Sequence, residues 1–220
     1  MQAQQASPRT ETPAPTGGRA RLMAAARALI AERRSFEALG IREIARAAGL
    51  SQTAFYRHFP DLETLGEALI DEVQGEILQM FAALGAEAGA QAPEAHLERL
   101  VQRYFDYCLL HPQTIVVALS EYHGSLPRMR EALSHTLEII TRWIARDPRL
   151  APLLGGVAPA AIEKDLVFAI QAIFLMSMDY LELPDRREAL VQRAQRLMMV
   201  VIAGAKAVAA NPVTRAAGPV

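Results

Sequence analysis

The chain has 220 residues with 51% apolar side chains, enough for one large or two small domains around a core. Its single cysteine excludes a disulfide framework within the chain and fits a reducing cytoplasm. No N-terminal apolar stretch resembles a signal peptide, and the longest nearly uncharged apolar run, residues 166–178, is too short to span a membrane, so a cytoplasmic location without membrane attachment is expected.

The formal charge of −1 divides unevenly. Residues 1–60 hold nine Arg against four Glu, which is +5 and leaves −6 for the remainder. A basic head on an acidic body suits a domain that meets phosphates, because counterion release supplies much of the affinity for DNA. Low aromatic content with abundant Ala and Leu favours helices, and no strand period or internal repeat stands out. The expected class is all-α.

In chain order, residues 1–18 are rich in Gln, Ala, Pro, Thr and Gly without an apolar period and read as a disordered tail. A first helix is predicted over residues 19–38, with Leu22, Ala26, Leu29, Ile30 and Phe36 inward. Arg19 and Arg21, at its junction with the tail, are candidates for phosphate or minor-groove contact; solvated arginines are the competing reading.

Ile41, Ile44, Ala45 and Ala48 then recur at helical spacing, and Gly49 follows where a left-handed residue would end a helix. Ser51 can cap the next helix, predicted from Gln52 to about Phe59, where Pro60 disfavours further helical backbone. Two short helices joined by a glycine turn form a helix-turn-helix, whose second helix enters the DNA major groove. The candidate DNA-binding residues are therefore Arg19, Arg21, Arg42, Ser51, Gln52, Thr53, Tyr56, Arg57 and His58. Gln52 could pair with adenine and Arg57 with guanine or phosphate, while Tyr56 and His58 suit backbone positioning.

A fourth helix starts at an Asp61 N-cap and carries a long stripe through Leu65, Leu69, Val73, Ile77, Met80, Phe81 and Leu84. It should reach both domains, which places the boundary inside it: 19–66 for DNA binding and 67–210 for ligand binding and dimerisation, with a tail over 211–220. Residues 85–93 read as a loop or weakly helical link. Further helices are predicted over 93–110, 113–122, 128–147, 160–181 and 185–210, about nine in all, with a loop over 148–159. Leu97, Leu100, Val101, Tyr104, Phe105, Cys108 and Leu109 form the apolar side of the fifth. The last two are apolar around more than one face and need a second surface to bury, which a two-fold four-helix bundle supplies. Leu166, Ile170, Phe174, Leu190, Ala194, Leu197, Val201 and Gly204 are the candidate dimer residues.

The residues 41–65, IREIARAAGLSQTAFYRHFPDLETL, resemble the helix-turn-helix of the TetR family of bacterial transcription regulators, over residues 19–69. That resemblance implies a homodimeric repressor with a palindromic double-stranded operator and a small-molecule effector in the C-terminal domain. Gly40 stands where the family often has a Ser or Thr cap touching phosphate, and Leu62 where a Lys is common. FYRHFPDLETLGEALIDE and YLELPDRREALVQRAQRLMMVVIAGAKA are similar to repressors of unsaturated fatty-acid synthesis, which sense long-chain acyl-CoA.

Candidate pocket residues are Phe81, Leu84, Tyr104, Phe105, Cys108, Val116, Ser120, Tyr122, Trp143 and Phe168, each also an ordinary core side chain. A mostly aliphatic pocket suits an acyl chain and equally many lipophilic drugs, so a regulator of a drug-efflux or catabolic operon stays open, as does a helical enzyme or interaction module. The five histidines are scattered with no partner at i+3 or i+4, so no metal site is expected. No constellation suggests catalysis, and neither catalytic residues nor a cofactor are expected.

Overall fold

A computed structural model describes residues 17–33, 35–87 and 92–210. Among them are ten α-helices and no strand: α1 (Gly18–Arg33), α2 (Ile41–Ala47), α3 (Gln52–Tyr56), α4 (Leu62–Glu87), α5 (Pro93–Leu110), α6 (Pro112–Tyr122), α7 (Pro127–Ala145), α8 (Ala151–Leu154), α9 (Pro159–Glu182) and α10 (Arg187–Ala210). A 3-10 turn, Pro184–Arg186, joins the last two. Most of the expected tails and residues 88–91 of the expected link lie outside the described residues, but Gly18 already opens α1, and 85–87 belong to α4.

The main departures from the sequence expectation fall in α1, in α3 and in the loop at 148–159. α1 stops at Arg33, because Ser35 Oγ accepts the Ala38 amide at 3.3 Å and Leu39 N–H bonds the Phe36 carbonyl at 3.0 Å, a local turn that competes with helical pairing. Phe36 thereby drops into the core, fully buried, from a turn rather than from a helix face. α3 ends at Tyr56, where the amides of His58 and Phe59 both turn onto the Phe55 carbonyl. The expected loop at 148–159 contains the one-turn helix α8, closed by Gly155 in the left-handed region.

Two apolar clusters hold the molecule together, and α4 belongs to both. Leu65, Ala68, Leu69 and Ile70 pack with Leu22, Phe36, Ile44, Phe55 and Phe59 of the head. Ile77, Phe81 and Leu84 pack with α5, α7, α9 and α10. Val117 of α6 and Met129 and Leu133 of α7 join the head cluster rather than the body cluster. The junction is tight: a Cβ on Gly66 would lie 2.4 Å from Met129 Sδ and 2.8 Å from Phe36 Cζ, so a side chain there would require both to shift. Leu109 is exposed rather than inward, being at the edge of the α5 stripe where the chain turns into α6.

Candidate DNA-reading face and internal cavity

The turn between α2 and α3 is built as its residues require. Gly49 adopts φ +66°, which a side chain would oppose, and Leu50 N–H returns to the Ala45 carbonyl at 2.8 Å. Ser51 caps α3 by accepting the Ala54 amide at 3.1 Å, so its hydroxyl oxygen is engaged in the fold. Gly40 precedes α2 in extended backbone with no side-chain cap, and Asp61 caps α4 by accepting Thr64 N–H at 2.7 Å. Ala54 and Phe55 turn inward, which leaves Thr53, Tyr56 and Arg57 exposed and Gln52 half-buried. Residues 52 and 56, and 53 and 57, stand one turn apart, giving two adjacent rows of polar side chains.

Three contacts around this face have no signal in sequence. Arg42 Nε donates to Gln52 Oε1 at 3.0 Å, so the first reading side chain is held by α2. The Arg19 guanidinium, exposed at the start of α1, lies 4.5 Å from the Phe59 ring centroid, which tethers it beside the end of the helix-turn-helix. His58 lies against the start of α1, its Nε2 only 2.3 Å from where a Cβ of Gly18 would stand. Arg21 is exposed and reaches toward Gly49.

Inside the molecule, one cavity of about 410 Å³ runs between the helices of the body to the head. This is within the range of roughly 300–1,000 Å³ typical of small-molecule pockets. Its walls are apolar: Val73, Ile77 and Phe81 of α4, Leu97, Leu100 and Val101 of α5, Leu133, Leu137 and Ile140 of α7, Ile170, Ile173 and Phe174 of α9, and Met198 of α10. At the head, Ala28, Ile30, Ala31 and Phe36 complete it. The solvent-exposed lining residues Arg27, Ala28, Leu110, His111 and Gln113 mark a mouth between α1 and the α5–α6 turn, where Arg27 is paired with Glu72. Tyr104 also borders the cavity, but its hydroxyl is 2.8 Å from Ser177 Oγ, and Ser177 in turn donates to the Ile173 carbonyl at 3.3 Å.

Phe81 and Tyr104 are the pocket candidates that line this cavity, and the others do not. Val116 and Ser120 stand one turn apart on the face of α6 opposite Ile115, Val117 and Ala118. Phe168 is 70% exposed on the outer face of α9. Leu84, Phe105 and Cys108 are packed in the solid core, and Tyr122 stands behind Phe174, ring centroids 5.5 Å apart. Trp143 faces a separate groove. Burial pushes the Cys108 thiol up to about 11, so it stays protonated and unreactive near neutrality.

The dimer candidates need a similar correction. Leu166, Phe174, Leu190 and Ala194 are buried within the monomer, and Ile170 borders the cavity. Leu197 and Val201 are half-buried and Gly204 is exposed. The apolar side chains that face outward are Phe168 and Leu175 on α9 and Val200 and Val208 on α10. A helix apolar on two sides has the same period on both, and only packing against α5 and α7 selects the inner one.

A capped helix pair with a glycine turn, a polar outer row and a basic flank defines a helix-turn-helix DNA-binding protein. Among the described residues no helix is long and apolar enough to cross a membrane, and no group of His, Cys, Asp or Glu is placed to hold a metal ion. Residues 22–69 match the family described as bacterial regulatory proteins, tetR family, and that segment is a DNA-binding domain of this family. The amino-terminal head is thus of the TetR type. Three solved structures share its fold. The fatty acid degradation regulator FadR from Bacillus halodurans is 16% identical with a TM-score of 0.64, over 89% of this chain and 98% of that one. A tetR-family transcriptional regulator from Streptomyces coelicolor is 23% identical with a TM-score of 0.61, over 90% and 85%. The transcriptional regulator FadR from Bacillus subtilis, solved in complex with stearoyl-CoA, is 17% identical with a TM-score of 0.62, over 84% and 97%.

Proposed function

We propose that this protein is a dimeric repressor whose affinity for a palindromic operator is set by a lipophilic effector carrying a long acyl chain, as in acyl-CoA. The observation that carries this reading is the cavity itself. It is apolar from Met198 to Ala31, and the hydroxyls within it are engaged, Tyr104 with Ser177 and Thr136 with Gln74. An interior that offers no free donor rewards an alkyl tail, whereas Arg27, His111, Gln113 and Thr114 near the mouth suit a polar head. The stearoyl-CoA complex of the Bacillus subtilis regulator supports the same class of ligand.

Switching follows from the shared helix. α4 borders the cavity at Gly66, Val73 and Phe81 and begins beside the reading helix at Leu62, so filling the cavity shifts a rigid rod that carries the head. In a dimer the outward faces of α9 and α10 would pair, and the two heads would read major-groove segments about 34–36 Å apart or a multiple of that. The domain limits 19–66 and 67–210 serve this division of labour.

The test is a titration of the protein–operator complex with stearoyl-CoA and oleoyl-CoA, with free CoA as control. The expected result is a change in operator affinity of roughly 5–150-fold for at least one acyl chain, the usual scale of coupling between sites. No change with either chain, at concentrations that saturate the cavity, would retire the lipid effector and leave a drug-like or catabolic ligand.

A further inference from the structure

The C-terminal end of α7 borders a second concavity, a groove of about 510 Å³ with a composition unlike the first. Trp143, Ile139, Ala82 and Pro148 make its apolar surface, and Arg142, Arg146 and Arg149 surround it. Residues 61–220 carry 14 basic against 20 acidic side chains, so three guanidinium groups around one tryptophan run against the charge of the body.

The local partners leave these cations available. Arg142 makes no hydrogen bond or ion pair among the described residues. Arg146 meets Glu163 through Nε at 3.2 Å, and Arg149 meets Asp147 through Nε at 2.9 Å, so among the described residues the terminal nitrogens of both remain open. Among the described residues Asp147 is the one carboxylate lining the groove, and it is committed to the buried His96 at 2.9 Å as well as to Arg149. Trp143 rests against Phe81, centroids 5.5 Å apart and planes 35° from parallel. Elsewhere in the fold guanidinium groups already cover aromatic rings, Arg19 on Phe59 and Arg187 on Tyr180.

We propose that this groove binds a phosphorylated nucleoside, its base on Trp143 and its phosphates on Arg142 and Arg146. A flat π surface accepts any nucleobase, and guanidinium forks match phosphate oxygens in pairs. Either feature alone is commonplace on a protein surface. Their meeting in one concavity requires a ligand with both a planar ring and a compact multiple negative charge. The assignment does not rest on the acyl effector, since the groove and the internal cavity lie on opposite sides of the Phe81–Trp143 contact.

Trp143 is the only tryptophan in the chain, so intrinsic fluorescence reads this groove directly. The full-length protein is titrated with ATP, inorganic tripolyphosphate and adenosine, with calorimetry as a second readout. ATP should give a saturable change in Trp143 emission with heat of binding, weakening as salt shortens the screening length. Tripolyphosphate and adenosine should each bind at least tenfold more weakly. The R142A/R146A variant, whose side chains are exposed and whose helicity should be unchanged, should lose at least tenfold in ATP affinity. R142E alone should do the same. Absence of any ATP signal, tripolyphosphate binding as tightly as ATP, or unchanged ATP affinity in both variants would each overturn the proposal.

Discussion

Arg128 at the start of α7 grips Glu67 of α4 with a two-pronged fork, Nε to Oε1 and Nη2 to Oε2, both at 2.8 Å. The same guanidinium reaches Asp61 Oδ2 at 2.9 Å and Thr64 Oγ1 at 2.9 Å, and Glu63 accepts the Arg128 amide at 3.2 Å. One body residue thus holds the entire first turn of the helix that carries the reading head. The fork fixes direction as well as distance, which a lysine could not do. Hydrogen bonds from the Thr64 amide and hydroxyl, with Arg128 behind them, hold the Asp61 carboxyl below the usual range.

Replacing Arg128 by Ala or Lys should therefore uncouple the domains more than it unfolds them. Exposed ion pairs contribute little to stability, so thermal unfolding should move only slightly. The effector response of operator binding should fall from its wild-type size toward none. Because the Asp61 carboxyl is depressed, its contribution is present above the ordinary carboxylate pKa near 4 and is lost as pH falls through the lower folded value. Comparing effector titrations of wild type and variants at neutral pH decides the matter: an undiminished response in both variants removes Arg128 from the coupling.

The contact between Arg42 and Gln52 leads to a prediction about reading DNA. Gln52→Ala should cost about 1–3 kcal/mol of operator affinity and relax one base position, whereas Arg57→Ala should weaken binding to all sequences alike. Arg42→Ala should share part of the Gln52 phenotype, because it frees the Gln52 amide to rotate. Binding measured against a set of single-base operator variants separates the cases. If R42A weakens every site equally, Arg42 is a phosphate contact and its hold on Gln52 is immaterial.

Assembly should depend on the outward face of the last long helices. Phe168→Glu or Val200→Asp would place a charge in an apolar interface without a partner and should shift the dimer to monomer while each subunit stays helical. Light scattering with circular dichroism reads both. A wild-type monomer at micromolar concentration, or a variant that remains dimeric, removes this face from the interface.

Glu121 gives a pH-dependent prediction. It is buried at the end of α6 with one carboxylate oxygen unpartnered. Burial raises its pKa, opposed by hydrogen bonds from the backbone amides of Phe36 and Glu37 in the turn after α1. A carboxylate whose folded pKa is raised costs stability at neutral pH, and that cost fades as pH falls through the raised value. Glu121→Gln keeps an acceptor for the amides and removes the charge, so it should stabilise by about 1 kcal/mol at neutral pH. The advantage should shrink in mildly acidic buffer. A variant less stable than wild type at neutral pH would show that the charge is compensated by a group outside this cluster.

The amino-acid sequence by itself determined the helical class, the helix-turn-helix and its polar outer row. These depend on local rules: apolar spacing within a helix, a glycine able to adopt φ +66°, serine and aspartate caps, and proline as a stop. The sequence also placed α4 across both domains, because one unbroken apolar stripe runs its length. Which side of each body helix meets which neighbour was left to the tertiary structure. Phe168 and Phe174 share one helix, and only the packing of α9 against α6 and α7 turns the second inward and the first to solvent. The same choice moved the cavity wall from Val116 and Ser120 to Ile115, Val117 and Ala118. Contacts between residues distant in sequence, such as Arg128 with Glu67 or Arg19 with Phe59, leave no periodic trace and form only once the helices are docked. Periodicity fixes that a face is apolar; three-dimensional packing alone fixes what that face touches.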